Sequence, residues 1–276
     1  MLMELMETHA TQLDEVIRFH SVTRVFGEQT VLKDLSFGIP SGRTHVIIGE
    51  SGCGKSVTLK LMMALMQPTK GQIDWFGTPL HSRSTKQIDR DRLRFGFLFQ
   101  NAALFDSMPV FENVAFGLRQ NTPFTQNEIH DRVIAGLQEV GLPAATAPKV
   151  PSELSGGMRK RVGLARALVL EPDVMFYDEP TTGLDPIMSD VINELIIRVR
   201  ERSNVTSVVV THDMNTVKRV ADGVTMLYPR TMLQDHESQV VFEGNVEQLF
   251  DADDERIRSF VRGEAGSRIE QMLAAA

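Results

Sequence analysis

The sequence predicts an α/β fold in which a mixed, largely parallel sheet carries an antiparallel β segment and an inserted helical segment. Three observations carry this reading. The short apolar run RTHVIIG leads through a glycine-rich loop, GESGCGKS at 49–56, into the helically spaced KSVTLKLMMALM. Two further apolar runs, DVMFYDEP and TSVVVTHD, end in acidic or imidazole side chains, and a helical stretch from Pro186 to Arg202 lies between them. Alternation of this kind aligns the C-termini of parallel strands at one sheet edge, where such sheets place their ligands.

The remaining elements follow in order. VIRFHSVTRVFG and TVLKDLSFGIPSG alternate as strands do and are separated by a turn at Gly27, which gives an antiparallel β start. QPTKG stops the helix after the glycine loop. From Thr85 to Arg94 the pattern is charged and helical, and FGFLF reads as a buried strand ending at Gln100. Residues from about 103 to 165 are helix-rich, with breakers at Pro109, Pro123, Pro143, Pro148 and Pro151, and form the inserted helical subdomain. The expected organisation is a leader over 1–15, one domain over 16–250 and a charged tail over 251–276.

The chain has 276 residues, 42% of them hydrophobic, enough for one large domain with its own core. Its net charge is −7, with both signs dispersed, which speaks against a surface built to neutralise a nucleic-acid backbone. A single cysteine, Cys53, excludes an intrachain disulfide and fits a reducing compartment. The start, MLMELMETHATQLDEV, lacks the cationic and apolar regions of a secretory signal. The longest apolar stretch, LKLMMALM at 59–66, is far short of the roughly 20 residues that span a bilayer. Any membrane role is therefore expected to come through another chain.

GESGCGKS fits G-x-x-x-x-G-K-[ST] in the strand-to-helix context that pattern requires. Gly49, Gly52 and Gly54 let successive backbone N–H groups approach phosphate oxygens, and the helix that follows adds its positive end. The phosphate-binding set is expected to be Gly49, Glu50, Ser51, Gly52, Cys53, Gly54, Lys55, Ser56 and Val57, with no chemistry assigned to the Cys53 side chain. Lys55 supplies charge to the β- and γ-phosphates and Ser56 a hydroxyl for Mg²⁺. At the end of VMFYDEP, Asp178 is placed to hold the magnesium through water and Glu179 to polarise an attacking water. ELSGGMRKRVGLARAL begins a cationic helix with Ser155 as N-cap, a second anion site that one nucleotide per chain cannot use. A dimer resolves this, each chain offering Ser155, Gly156 and Gly157 to the ATP on its partner's glycine loop.

The ordered set of phosphate loop, LSGG, YDEP, GLDP and a strand-ending histidine resembles the nucleotide-binding subunit of an ABC transporter, over residues from about 17 to 250. The resemblance implies a P-loop NTPase fold of ABC type, ATP hydrolysis, ATP and Mg²⁺ at the site, a homodimer and an integral membrane permease. It implies that Gln100 senses the γ-phosphate and magnesium, that Asp185 lies at the dimer seam, that His212 touches the γ-phosphate and that Phe26 stacks on adenine. Met158 stands where the family often has Gln. The stretch after Gln100, LFDSMPVFENVAFGLR, corresponds to the surface that accepts a short helix of the permease, with Leu104, Phe105 and Met108 favoured as its groove. LFQNAALFDSMPVFENVAFGLR, PSELSGGM and IRSFVRG together resemble the ATPases of Mla- and Mce-type lipid-transport systems. That likeness implies phospholipid or another hydrophobic cargo, a partner carrying the Mce domain, and a place on the cytoplasmic face of the inner membrane. Two alternatives stand at this stage: an ABC transporter of another cargo, and a non-transport ABC ATPase acting on nucleic acid or ribosomes. The negative charge and the lack of a second cassette, long coiled coil, zinc module or basic arm disfavour the latter.

Overall fold

The computed structural model describes residues 15–264. The expected leader and the end of the tail lie outside the described residues, apart from Glu15, which opens the first strand. The strands are β1 (Glu15–Phe26), β2 (Gln29–Pro40), β3 (Thr44–Gly49), β4 (Lys70–Trp75), β5 (Thr78–Pro79), β6 (Phe95–Leu98), β7 (Val174–Asp178), β8 (Thr206–Val210), β9 (Gly223–Leu227) and β10 (Val240–Gly244). The α-helices are α1 (Lys55–Met62), α2 (Thr85–Arg92), α3 (Val110–Asn121), α4 (Gln126–Glu139), α5 (Gly156–Leu168), α6 (Pro186–Ser203), α7 (Met214–Val220), α8 (Val246–Phe250) and α9 (Glu255–Arg262).

The strands form two sheets. One is antiparallel, in the order β2-β1-β4-β5; the other runs β10-β9-β3-β8-β7-β6, parallel except where β10 pairs antiparallel with β9. The mixed sheet and antiparallel segment expected from the sequence are both present. The central strands β3, β7 and β8 are buried along their length, apart from the half-buried Asp178, because both of their faces are covered, and most of their residues are apolar. Alternate side chains therefore enter two cores. Val46, Ile48, Met175, Tyr177 and Val209 join the core shared with the helices, while Ile47, Val174, Phe176, Val208 and Val210 join the core shared with α1 and the antiparallel sheet. Trp75, the sole tryptophan, is fully buried in the second core, stands edge-on to Phe95 at 4.7 Å, and donates its indole N–H to Met62 O at 2.6 Å.

Register fixes the site. Ile47 of β3 and Asp178 of β7 both pair with Val210, the last residue of β8. The glycine loop, the Asp178–Glu179 pair and His212 thus leave three adjacent strands at one edge.

Two boundaries differ from the sequence reading. β6 ends at Leu98, not Gln100, because Phe99 is 43% exposed and Ala102 and Ala103 then adopt left-handed φ. α1 ends at Met62 although helical spacing continues to Met66, because Ala64 turns left-handed and the Arg92 side chain captures the carbonyls of Met63 and Ala64. The described part of the tail, to Glu264, is ordered: α9 is capped by Asp254, and its Ile257 is buried against the helix-side core.

Candidate functional site: a phosphate cleft at the strand edge

A cleft of about 660 Å³ opens where β3, β7 and β8 end, lined by Gly49, Glu50, Ser51, Gly52, Gly54, Lys55, Ser56, Val57, Gln100, Asp178, Glu179 and His212, with Val31, Val210 and Phe260. Sequence-separated residues expected to act on one triphosphate therefore line one cleft. Among the expected loop residues Cys53 does not line the cleft; its thiol is fully buried, and burial pushes its pKa up.

The loop's conformation depends on glycine at two positions. Gly54 has φ +103°, and a Cβ there would lie 2.3 Å from Leu32 Cδ2. Gly52 has φ +81° and faces open space, so its backbone is free to approach a ligand. The Lys55 ammonium curls over the loop and donates to the carbonyls of Gly49 at 2.7 Å and Glu50 at 3.0 Å, which centres the charge on the cradle. Behind the loop, the buried Gln239 side chain donates to the carbonyls of Val31 and Cys53 and accepts from Lys33 N.

At the far wall, Glu179 follows β7 with a left-handed φ of 49°. Its N–H donates to Val210 O at 2.8 Å. Thr182 Oγ1 donates to Glu179 Oε2 at 3.1 Å, and His212 Nδ1 lies 2.9 Å from Oε1, so both carboxylate oxygens are held. The Glu179 side chain is only 12% exposed, whereas His212 is 63% exposed. Burial raises the pKa of Asp178, with the neighbouring Glu179 adding to the effect and Lys55, Lys60 and Lys160 opposing it.

Ser56, Gln100 and Asp178, which carry hydroxyl, amide and carboxylate oxygens, all line the cleft. An all-oxygen set of few protein ligands fits Mg²⁺, which keeps waters and shares its shell with phosphate.

The second anion turn stands elsewhere on the surface. Ser155 caps α5 by accepting from Met158 N at 3.2 Å, and Ser155 and Gly156 are exposed. Gly157 is buried against α6, where a Cβ would come 2.8 Å from Met188 Cε. Asp185 caps α6, accepting from Met188 N at 2.9 Å. None of Ser155, Gly156, Gly157 or Asp185 lines this chain's cleft. Phe26 is also outside the lining: its ring is 39% exposed at the end of β1, with the Arg24 guanidinium 4.5 Å above it.

The aromatic segment after Gln100 is knotted by a residue that the sequence reading did not single out. Asn113, fully buried, accepts from Phe105 N at 2.8 Å and donates to the carbonyls of Phe105 at 3.1 Å and Met108 at 3.0 Å. It fixes the loop that carries Phe105, which is 41% exposed and whose ring lies 5.0 Å from that of Phe116, 40% exposed, on α3. Leu104 and Phe111 pack instead against the helix-side core. Val31, Phe260 and Lys160 were likewise missed, since only tertiary folding brings them to the site.

The family model for the ABC transporter matches residues 32–182, more than half of the chain. The chain belongs to the ABC transporter family. This cassette is 39% identical over 90% of its length to the "Probable ribonucleotide transport ATP-binding protein mkl" of Mycobacterium leprae, covering 69% of that protein. Against mkl of Mycobacterium tuberculosis the identity is the same, but the cassette spans 66% of that longer chain. It is 38% identical over 91% of its length to the "Intermembrane phospholipid transport system ATP-binding protein MlaF" of Haemophilus influenzae, covering 91% of that protein. Among solved structures, the dimeric bacterial cassette MJ0796 superposes with a TM-score of 0.74 at 28% identity, covering 83% of the cassette and 98% of MJ0796. MJ0796 is also known as a dimer in a post-hydrolysis state with ADP and phosphate. The cassette is accordingly an ATPase that binds ATP. Among its described residues no helix is long and apolar enough to cross a membrane.

Proposed function

We propose that the cassette powers the movement of phospholipid by hydrolysing Mg·ATP between two copies of itself, on the cytoplasmic face of the inner membrane. The observation that carries this reading is the single cleft joining the Gly49–Val57 loop to Gln100, Asp178, Glu179 and His212. Backbone N–H groups of the loop and the Lys55 ammonium hold the triphosphate, and Ser56, Gln100 and Asp178 hold the magnesium. The magnesium, when bound, neutralises phosphate charge that develops during transfer. Glu179, fixed at both carboxylate oxygens, takes a proton from the attacking water, and His212 orients that carboxylate and reaches the γ-phosphate. Phe26, exposed on the β1–β2 hairpin, stacks on the adenine.

The exposed Ser155–Gly156 turn cannot serve its own cleft and is matched to the ATP of a second copy, with Asp185 at the seam. ATP drives closure because it binds the closed pair better than the open one. A permease helix takes up that motion at the surface around Phe105 and Met108, with Leu104, expected in the groove, packed beneath it against the helix-side core, and an Mce-domain protein handles the cargo. Phospholipid is favoured over ribonucleotide because the match spans 91% of the H. influenzae MlaF protein but leaves about a third of mkl uncovered. Purification of the tagged cassette from detergent-solubilised membranes tests the reading. Recovery with an integral permease and bound phospholipid is expected; recovery with ribosomes or nucleic acid, or with a permease that carries a polar solute, would contradict it.

A further inference from the structure

We propose that Lys160 is a positioning residue for hydrolysis, holding the backbone of Glu179 in the conformation that aims its carboxylate into the cleft. The proposal deepens the reading above and rests on its assignment of Glu179 as the base. Lys160 lies in α5, little more than a turn beyond the Ser155 cap, and is 5% exposed. Its ammonium donates to Glu179 O at 3.0 Å and to Pro180 O at 2.6 Å. Those carbonyls follow directly on the left-handed residue of the site, since Glu179 has φ 49° without being glycine. A non-glycine residue in that region persists only where its surroundings over-determine it. Val210 O fixes Glu179 from its N–H side and Lys160 from its carbonyl side, while Thr182 and His212 hold the carboxylate.

A cation is a costly choice for this task. Burying an ammonium carries a large desolvation penalty, whereas a neutral amide could satisfy one carbonyl at far less cost. The charge has a use here because Asp178 and Glu179 face it: burial lowers the Lys160 pKa to about 8, and those two carboxylates oppose that fall. The ammonium therefore does two things at once. It closes the turn after β7, and it offsets two adjacent carboxylates that would otherwise repel one another. Nothing in KRVGLARAL betrays this, because a lysine beside two arginines on a cationic helix reads as solvent-facing.

The test is a double-mutant cycle with Glu179→Gln on the purified full chain, with ATP binding measured by calorimetry and folding followed by Trp75 fluorescence. Lys160→Met removes the charge and both donors but keeps most of the aliphatic stem. It is expected to lower kcat at least tenfold with KM for ATP and ATP affinity unchanged, and to cause no further loss when Glu179 is already Gln. Lys160→Arg, which keeps the cation, is expected to recover part of the rate. If Lys160→Met folds and hydrolyses ATP at the wild-type rate, or loses the same factor with and without Glu179, the positioning role is overturned. Should Lys160→Met not fold, Lys160→Arg decides: a kcat unchanged by Glu179→Gln in either background sinks the assignment of the base, whereas a Glu179-independent defect in Lys160→Arg sinks only the role of Lys160.

Discussion

Replacing Glu179 by Gln separates chemistry from architecture at this site. The carboxylate is 12% exposed and is held by Thr182 Oγ1 at 3.1 Å and His212 Nδ1 at 2.9 Å. Gln is nearly the same size, keeps one carbonyl oxygen, and presents an amide NH₂ that the Thr182 hydroxyl can accept by rotating. The loss of stability is therefore about 1 kcal/mol or less, that of one exchanged hydrogen bond. The loss in rate is much larger, because a positioned general base contributes roughly 10²–10⁴-fold, about 3–5 kcal/mol of barrier. Removing a negative charge beside Asp178 also removes one of the influences that raise its pKa, so Mg·ATP affinity should be held or improved. Single-turnover hydrolysis, calorimetric ATP binding and a Trp75-monitored melt distinguish these effects. Undiminished hydrolysis, or a collapse of ATP binding with hydrolysis intact per bound nucleotide, would overturn the assignment of Glu179 as the base.

Three further outcomes follow from the geometry. Gly54→Ala forces a Cβ to within 2.3 Å of Leu32 at φ +103°, so ATP binding by calorimetry should be lost or severely weakened while the two cores remain folded. Asn113→Ala leaves the Phe105 N–H and the Met108 carbonyl without this partner, at about 1–3 kcal/mol for each group left unsatisfied, while the Phe105 carbonyl keeps Met108 N; hydrogen exchange at the Phe105 amide should accelerate and permease capture should weaken. His45 is buried, bonded to Thr225 Oγ1 at 2.8 Å, and burial lowers its pKa from 6.5 to about 4. Because the unfolded chain takes up that proton first, the stability it contributes is complete above pH 6.5 and falls by up to about 3 kcal/mol as pH drops towards 4. Urea titrations should show this acid slope flattened in His45→Gln.

Much of the site was legible because its parts are local. A glycine loop between an apolar strand and a helix, and carboxylates or a histidine at strand ends, are patterns in which the sequence neighbours are also the spatial neighbours. Parallel pairing then does the assembly, bringing Ile47 and Asp178 to opposite sides of Val210. What escaped depends on long-range contact. Lys160 reads as part of a solvated basic face until α5 is pressed onto the turn after β7. Phe260 belongs to a charged tail that gives no sign of folding back to the phosphate cleft, and Asn113 looks like one polar residue among phenylalanines. The ends of α1 and β6 depend on long-range contact in the same way: Arg92 is 29 residues beyond the carbonyl of Met63 that it captures, and Phe99 continues an apolar run beyond the last cross-strand pair, Leu98 with Tyr177.

In the proposed function one triphosphate is gripped by the glycine loop of one copy and the Ser155–Gly156 turn of the other. Sedimentation of Glu179→Gln with and without Mg·ATP, beside the same chain carrying Ser155→Arg, tests it most directly. An ATP-dependent dimer is expected, which Ser155→Arg abolishes while each chain still binds ATP. A chain that stays monomeric with ATP bound at high concentration, or a dimer indifferent to Ser155→Arg, would contradict it.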